Sequence, residues 1–509
     1  MSAHVTQHER MTAVTSAARE SWAARRAALR ARAATVGLAE WLAYTLIVLS
    51  PLTVYRVSVG INLSPQRLML LLLAGTLCFE IARRGRRPPR LSRHALVALA
   101  AMLAFFAYEL TQLTRTQQSA FSARFLGAYA AGMLVVAVLV VVIDSELVLR
   151  RAILAFWLSA IVPVAIGLYQ LIGASLGFIP TLPFASLLST DQLFLGNFTT
   201  EVRGLAVPRV PSTMAAPAFF GEFLAFVAIA MLALLLLAGE RRARRLLPAA
   251  ALLALALVNL VATFARSAWL LFALGALMVV LQARHQLKAA LFAPGRRWLL
   301  PAVAVICVAL LPILPVPVGE TVSGVIDSLD IGRDSAGAIV EQRYAGETLT
   351  LNPTTIDAQS TAASTETHLQ LRRSALELFA ERPLTGIGLG NYGVRTDQVE
   401  GVSSAQSYGF TVLAEGGLIG IALFATMLLA LVAVARRAYR SRARDTPLGA
   451  ALLGVYVIVG LLVLNNLVLY DTLYLDTSWI VMGLAIAAGN VMRPRAGAVP
   501  AEVAAGAGD

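Results

Sequence analysis

Long apolar runs alternate with short polar interruptions along this chain, and one polar interval, Val318 to about Tyr408, is far longer than the others. Many runs reach the roughly 18–20 residues that let a helix cross a ~30 Å hydrocarbon layer. The period-2 alternation of a transmembrane barrel is absent, so only helices can satisfy the backbone in lipid. The pattern predicts an all-α polytopic membrane protein with about 12 transmembrane helices, at about 38–58, 64–82, 94–113, 125–143, 152–174, 217–238, 247–264, 267–283, 299–317, 409–434, 448–469 and 477–492. Residues 1–36 then form a basic cytoplasmic tail and 37–317 carry spans one to nine. A large extracytoplasmic loop at 318–408 separates span nine from span ten, 409–492 carry spans ten to twelve, and 493–509 form a disordered cytoplasmic tail.

The long loop has its own internal pattern. Val318 to Ala363 is rich in Gly, Ser, Thr and Asp and shows no period. From about Glu366 a helical period appears, with Leu371, Ala375, Leu376, Leu378 and Phe379 apolar and Arg372, Arg373, Glu377 and Glu381 between them. Pro383 ends it. Gly386, Gly388 and Gly390 follow in a tight turn. This is not a dinucleotide fingerprint, because it follows a helix and not a strand. Packing of that turn under a neighbouring helix is the favoured expectation over direct ligand contact.

Composition removes the soluble class: 58% of residues are hydrophobic, 14% are charged and the mean hydropathy is +0.73. The net charge of +13 points to topology rather than nucleic acid. Its arginines cluster between alternate spans, at 83–93, 150–151, 241–245, 284–297 and 436–444, as they do in cytoplasmic loops. Lys288 is the only lysine. Cys78 and Cys307 lie in apolar runs and imply neither disulfide nor metal. The N-terminal arginines Arg10, Arg19, Arg25, Arg26, Arg30 and Arg32 are not followed by a short apolar core with a cleavage site, so a cleaved signal is not expected.

With both termini cytoplasmic, the opposite, external face receives the loops at 114–124, 175–216, 318–408 and Tyr470–Thr477, and a tight turn at Phe264–Ser267. Arg266 in that turn has almost no loop to carry it into water. A guanidinium so placed either snorkels from a helix end or marks a site. Glu222, Glu415, Asp471 and Asp476 are acids at the same edge, and Arg56, Arg67, Arg124, Arg203 and Arg209 add positive charge there.

Four segments together resemble the O-antigen ligase and polysaccharide polymerase superfamily of bacterial membrane glycosyltransferases. They are RVPSTMAAPAFFGEFLA (Arg209 to Ala225), TFARSAW (Thr263 to Trp269), the loop helix with PLTGIGLGNYG (to Gly393), and AQSYGFTVLAEGGLIG (Ala405 to Gly420). The resemblance implies transfer of a polyprenyl-diphosphate-linked glycan to a glycan or lipid acceptor hydroxyl, at the outer face of a bacterial cytoplasmic membrane. It also implies Arg209 and Arg266 as diphosphate-binding residues; Arg67 and Arg203, from the positive charge on the same face, are ranked second for that role. Arginine pairs with phosphate bidentately and stays charged, so no metal or other cofactor is expected. In the ligase branch a His stands at the mouth of the span after the loop, where this chain has Gln406, and an Arg starts the loop helix, where it has His368. His368, Gln406 and Glu415 are therefore the acceptor-side catalytic candidates beside Arg209 and Arg266. A transporter or flippase of lipid-linked glycan is the alternative reading; the absence of a repeat between the two halves weighs against it. A non-catalytic envelope scaffold is a third.

Overall fold

The computed structural model describes residues 36–55, 57–58, 62–84, 89–117, 119–176, 199–202, 205–214, 216–237, 243–292, 301, 304–305, 361–396, 405, 407–442, 446–473 and 475–492. Among them the frame is helical. The first half supplies α1 (Leu38–Leu49), α2 (Pro65–Arg84), α3 (Arg93–Gln112), α4 (Ser119–Val142), α5 (Glu146–Leu158) and α6 (Ile161–Leu176). The middle supplies α7 (Pro217–Leu237), α8 (Ala243–Ala262) and α9 (Arg266–Phe292). The loop helix is α10 (Thr361–Glu381), followed by the short α11 (Tyr392–Arg395), then α12 (Tyr408–Arg440), α13 (Pro447–Leu464) and α14 (Asp476–Val491). Two small antiparallel hairpins modify the all-helical expectation: β1 (Val57–Ser58) with β2 (Asn62–Leu63), and β3 (Thr199–Val202) with β4 (Leu205–Pro208).

Eight helical segments among the described residues are long and apolar enough to cross a membrane, and α1 and Leu246–Ala262 are apolar but shorter. Every span expected from the hydropathy pattern coincides with described helix except the ninth, 299–317, which lies almost wholly outside the described residues. The fifth is divided between α5 and α6 at Ser159 and Ala160. Both tails and residues 318–360 of the long loop also lie outside them.

Local chemistry explains several helix starts. Ser92, Ser145 and Thr446 each accept a hydrogen bond from the backbone N–H three residues on, satisfying a donor that the first helical turn leaves unpaired. Pro447, at the first position of α13, gives up a donor that would be orphaned anyway. The central helix α7 is apolar on all sides and buried over nearly its whole length, as expected of a helix surrounded by others. It packs against α8, α9 and α13, while α12 packs on α3 and α14 on α4. Trp479 of α14 is fully buried against Gly132 of α4, where any Cβ would fall 2.1 Å from the indole.

Contacts show which helix ends lie together. Arg151 pairs with Glu40 at 3.7 Å, and Glu146 pairs with Arg150 and Arg442, gathering an arginine-rich end. At the opposite end Gln66 Nε2 donates to Leu49 O (2.8 Å), Thr213 Oγ1 to Pro51 O (2.9 Å) and Ser407 Oγ to Leu467 O (3.1 Å).

The glycine-rich turn belongs to this second end, and its role is structural. Helix α12 breaks at Gly417, whose φ of 63° and ψ of −159° lie outside helical space. A break frees backbone donors and acceptors that cannot stay unpaired when buried. The turn after α10 takes them up. Leu418 N–H donates to Pro383 O (2.8 Å) and Ile419 N–H to Leu384 O (3.2 Å). In return Ile387 N–H donates to Ala414 O and Gly388 N–H to Glu415 O, both at 3.0 Å. Tyr108 of α3 closes the set, its hydroxyl donating to Gly416 O at 2.6 Å. The chains approach so closely that a Cβ on Gly386 would meet Glu415 O at 2.2 Å, and one on Gly417 would meet Gly386 N at 2.6 Å. Both residues have positive φ, so glycine is required twice over. The expectation of packing under a neighbouring helix is met.

Candidate active site

The segment from Arg209 to Met214 is laced to several helix ends at the end opposite the arginine cluster. Val210 N–H donates to Ala262 O (3.2 Å), Ser212 N–H to Gln170 Oε1 (2.9 Å), and Val54 N–H to Thr213 O (3.1 Å). Arg209, at its start, is half-buried and donates from Nε to Thr263 O at 3.0 Å. Thr263 opens the tight turn between α8 and α9, and Arg266 is the first residue of α9. Phe264 in that turn has a φ of 48°, a left-handed conformation that costs a non-glycine residue energy. Trp269 supports the turn by donating from Nε1 to Leu260 O (2.9 Å), with its ring beside Phe264 (centroids 6.3 Å).

Arg209 is therefore tied to the turn that carries Arg266. Burial lowers the Arg209 pKa; Tyr470 opposes this, and Arg266 adds to it, so the two guanidiniums lie within electrostatic range of each other. Two like charges held close together favour an anion beside them.

Beyond Arg209 comes a buried polar cluster at the end of α13. Residues Asn465–Leu469 form a π-helical turn closed by Tyr470 N–H to Asn465 O at 2.8 Å. Such turns recur at functional sites because they re-aim side chains. Asn466 pins the following segment: its Nδ2 donates to Thr472 Oγ1 (3.1 Å) and its Oδ1 accepts Thr472 N–H (3.1 Å). Ser478 Oγ donates to Thr472 O at 3.0 Å. Glu222 of α7 reaches the side chains of Thr472 and Asn465 and lies in electrostatic range of Asp471. Glu222 Oε1, Asn465 Oδ1 and Asp471 Oδ1 are all buried without a hydrogen-bond partner among the described residues. Burial pushes the Asp471 carboxyl up to about 7, against the pull of the Leu473 backbone N–H.

The loop helix closes over this cluster. Leu371, Ala375 and Leu378 of α10 form a small separate core with Ile387, Tyr392, Ala405 and Ala414. Tyr392 OH donates to Leu371 O at 2.6 Å. Arg372 donates to Leu469 O at 3.4 Å and its guanidinium stands 5.7 Å above the Phe410 ring, tying α10 to the π-turn.

The remaining candidates fall elsewhere. Glu415 is buried behind the glycine-rich turn, where its Oε1 accepts the Tyr392 N–H at 2.9 Å; this is a bracing position. Arg67 is exposed near the start of α2, within electrostatic range of Asp476. His368 lies in α10, one helical turn before Arg372, but its side chain is outside the described residues, as are Gln406 and Arg203 altogether. Sequence reasoning did not single out Tyr470, Thr472 or Glu109. Glu109, buried in α3 and in electrostatic range of Glu415, carried a usable signal as an acid inside an apolar run. Tyr470 and Thr472 carried none, because a π-turn leaves no mark in hydropathy.

A family model described as O-Antigen ligase matches residues 251–425, from α8 through α9 and the loop helix into α12. No curated protein matches the chain. The resemblance carried by the four segments is thus shown for the part of the chain that holds the Arg266 turn, the glycine-rich turn and the broken helix.

Proposed function

With an O-antigen ligase domain over residues 251–425 as premise, we propose that this membrane protein transfers a polyprenyl-diphosphate-linked glycan to an acceptor hydroxyl, as a polymerase or ligase of cell-surface polysaccharide. The site faces the outside of the cytoplasmic membrane, opposite the arginine-rich end. One observation carries the reading: Arg209 bonds the carbonyl of Thr263, three residues before Arg266, which gathers two guanidiniums in one turn at a helix end.

The chemistry follows from that pairing. The acceptor oxygen forms a bond to the anomeric carbon while the bond from that carbon to the diphosphate oxygen breaks. The electron pair leaves with the diphosphate, where negative charge grows. Arg209 and Arg266, already in place, stabilise this charge more in the transition state than in the bound donor. The acceptor proton passes to a base, and Asp471 is the carboxylate whose position and pKa of about 7 suit that task. His368 and Gln406 remain the residues proposed to orient the acceptor hydroxyl.

Replacement of Arg266 or Arg209 by Ala, with membrane levels of the protein matched, is expected to cut surface glycan elongation or attachment by at least about a hundredfold. Normal glycan from both variants overturns the assignment.

A further inference from the structure

Tyr470 is held by more structure than any packing role for it requires. Its own N–H closes the π-turn on Asn465 O. The turn is fastened from outside by Ser407 Oγ to Leu467 O (3.1 Å) and by Arg372 to Leu469 O (3.4 Å). The residues after it are fixed through Asn466 and Thr472. The ring stands edge-on to Phe219 of α7, with centroids 5.7 Å apart. Thr472, two residues on, uses its hydroxyl in this network, whereas no described residue takes a hydrogen bond from the half-buried Tyr470 hydroxyl.

The neighbours of that phenol are the groups of the site. Arg209, Asp471 and Glu222 all lie within electrostatic range of it. A phenol in range of Arg209 and of two acids stands where a leaving group and a base would meet.

We propose that Tyr470 is a further catalytic residue, whose hydroxyl donates a hydrogen bond to the diphosphate of the lipid-linked donor beside Arg209. This rests on the glycan-transfer reading above. Tyr470 transfers no proton in the step: the acceptor proton goes to Asp471, and the phenol O–H stays a donor to the oxygen on which charge accumulates. Burial and the two neighbouring acids raise the phenol pKa more than Arg209 lowers it, which keeps it protonated and able to donate at neutral pH. The dominant contribution is to holding the leaving group and stabilising its charge by a hydrogen bond, as with other preorganised donors.

Tyr470→Phe tests this cleanly, because the ring and its contact with Phe219 are kept. The probe is undecaprenyl diphosphate, titrated against the full-length protein in detergent micelles, with Arg266→Ala and Asp471→Asn measured beside it. Tyr470→Phe is expected to weaken binding about tenfold, the effect of one hydrogen bond to a charged group. Arg266→Ala should weaken it more, and Asp471→Asn little. Retained affinity in Tyr470→Phe alongside lost affinity in Arg266→Ala overturns the role of Tyr470 and leaves the transfer reading standing. Retained affinity in both overturns the diphosphate site itself, and this proposal with it.

Discussion

At the scale of single residues, two buried carboxylates divide the work. Asp471 has an oxygen without a partner among the described residues and a pKa raised by burial to about 7. A base acts only when deprotonated, so transfer should rise with pH through about 7 and level off above it; in Asp471→Asn the residual rate should lose that acid limb. Rate against pH for purified protein checks this, and an unchanged profile in the variant removes Asp471 as base. Stability moves the other way. Between 3.8, the ordinary value, and about 7 the folded state binds this proton more tightly than the unfolded state, so Asp471 makes the fold less stable as pH rises through that window. Glu415 instead braces the Tyr392 N–H. Glu415→Gln keeps an acceptor there and should retain activity within about threefold, while Glu415→Ala leaves a buried donor unpaired at a cost of about 1–3 kcal/mol. Thermal unfolding of both variants, read beside activity, separates bracing from catalysis.

Among elements, the instructive one is α12. The sequence reads as one uninterrupted apolar span at 409–434, yet the 33-residue helix Tyr408–Arg440 breaks at Gly417. The break is tolerated because the turn at Pro383–Gly388 pairs with the N–H groups of Leu418 and Ile419 and the carbonyls of Ala414 and Glu415, and Tyr108 pairs with the carbonyl of Gly416. Neither half is interpretable alone, which is why alternating glycines in the sequence suggested a tight packed turn without showing what it packs against. Gly417→Ala places a side chain at positive φ and against the Gly386 backbone. It should cost roughly 1–2 kcal/mol from the backbone alone, plus the clash. A lowered melting temperature with loss of the α10–α12 docking, measured by protease sensitivity of the loop, is the expected result; an unaltered melting temperature contradicts this account of the break.

For the whole molecule, hydropathy disclosed the helices well, since lipid leaves the backbone almost no other choice. It placed helix limits less well: the fifth expected span is broken at Ser159–Ala160, and the first helix ends at Leu49, short of the expected 58. Half of the site was legible in the same way. Arg266 stood out because a charge beside an apolar run is costly and Arg209 through the motif it opens, and the structure ties Arg209 to the Arg266 turn through Thr263. The rest of the candidate site was hidden, because Tyr470 and Thr472 come near Arg209 and Glu222 through a π-turn and through contacts with α7 and α10.

The central claim is that this arginine turn drives transfer from a lipid diphosphate. The most direct measurement is single-turnover transfer by purified protein in lipid vesicles carrying a radiolabelled polyprenyl-diphosphate glycan, comparing the wild type with Arg266→Ala. The account predicts labelled product and released carrier diphosphate from the wild type and at least about a hundredfold less of both from the variant. Equal product from the two proteins, or movement of intact lipid-linked glycan across the bilayer without product from either, would contradict it.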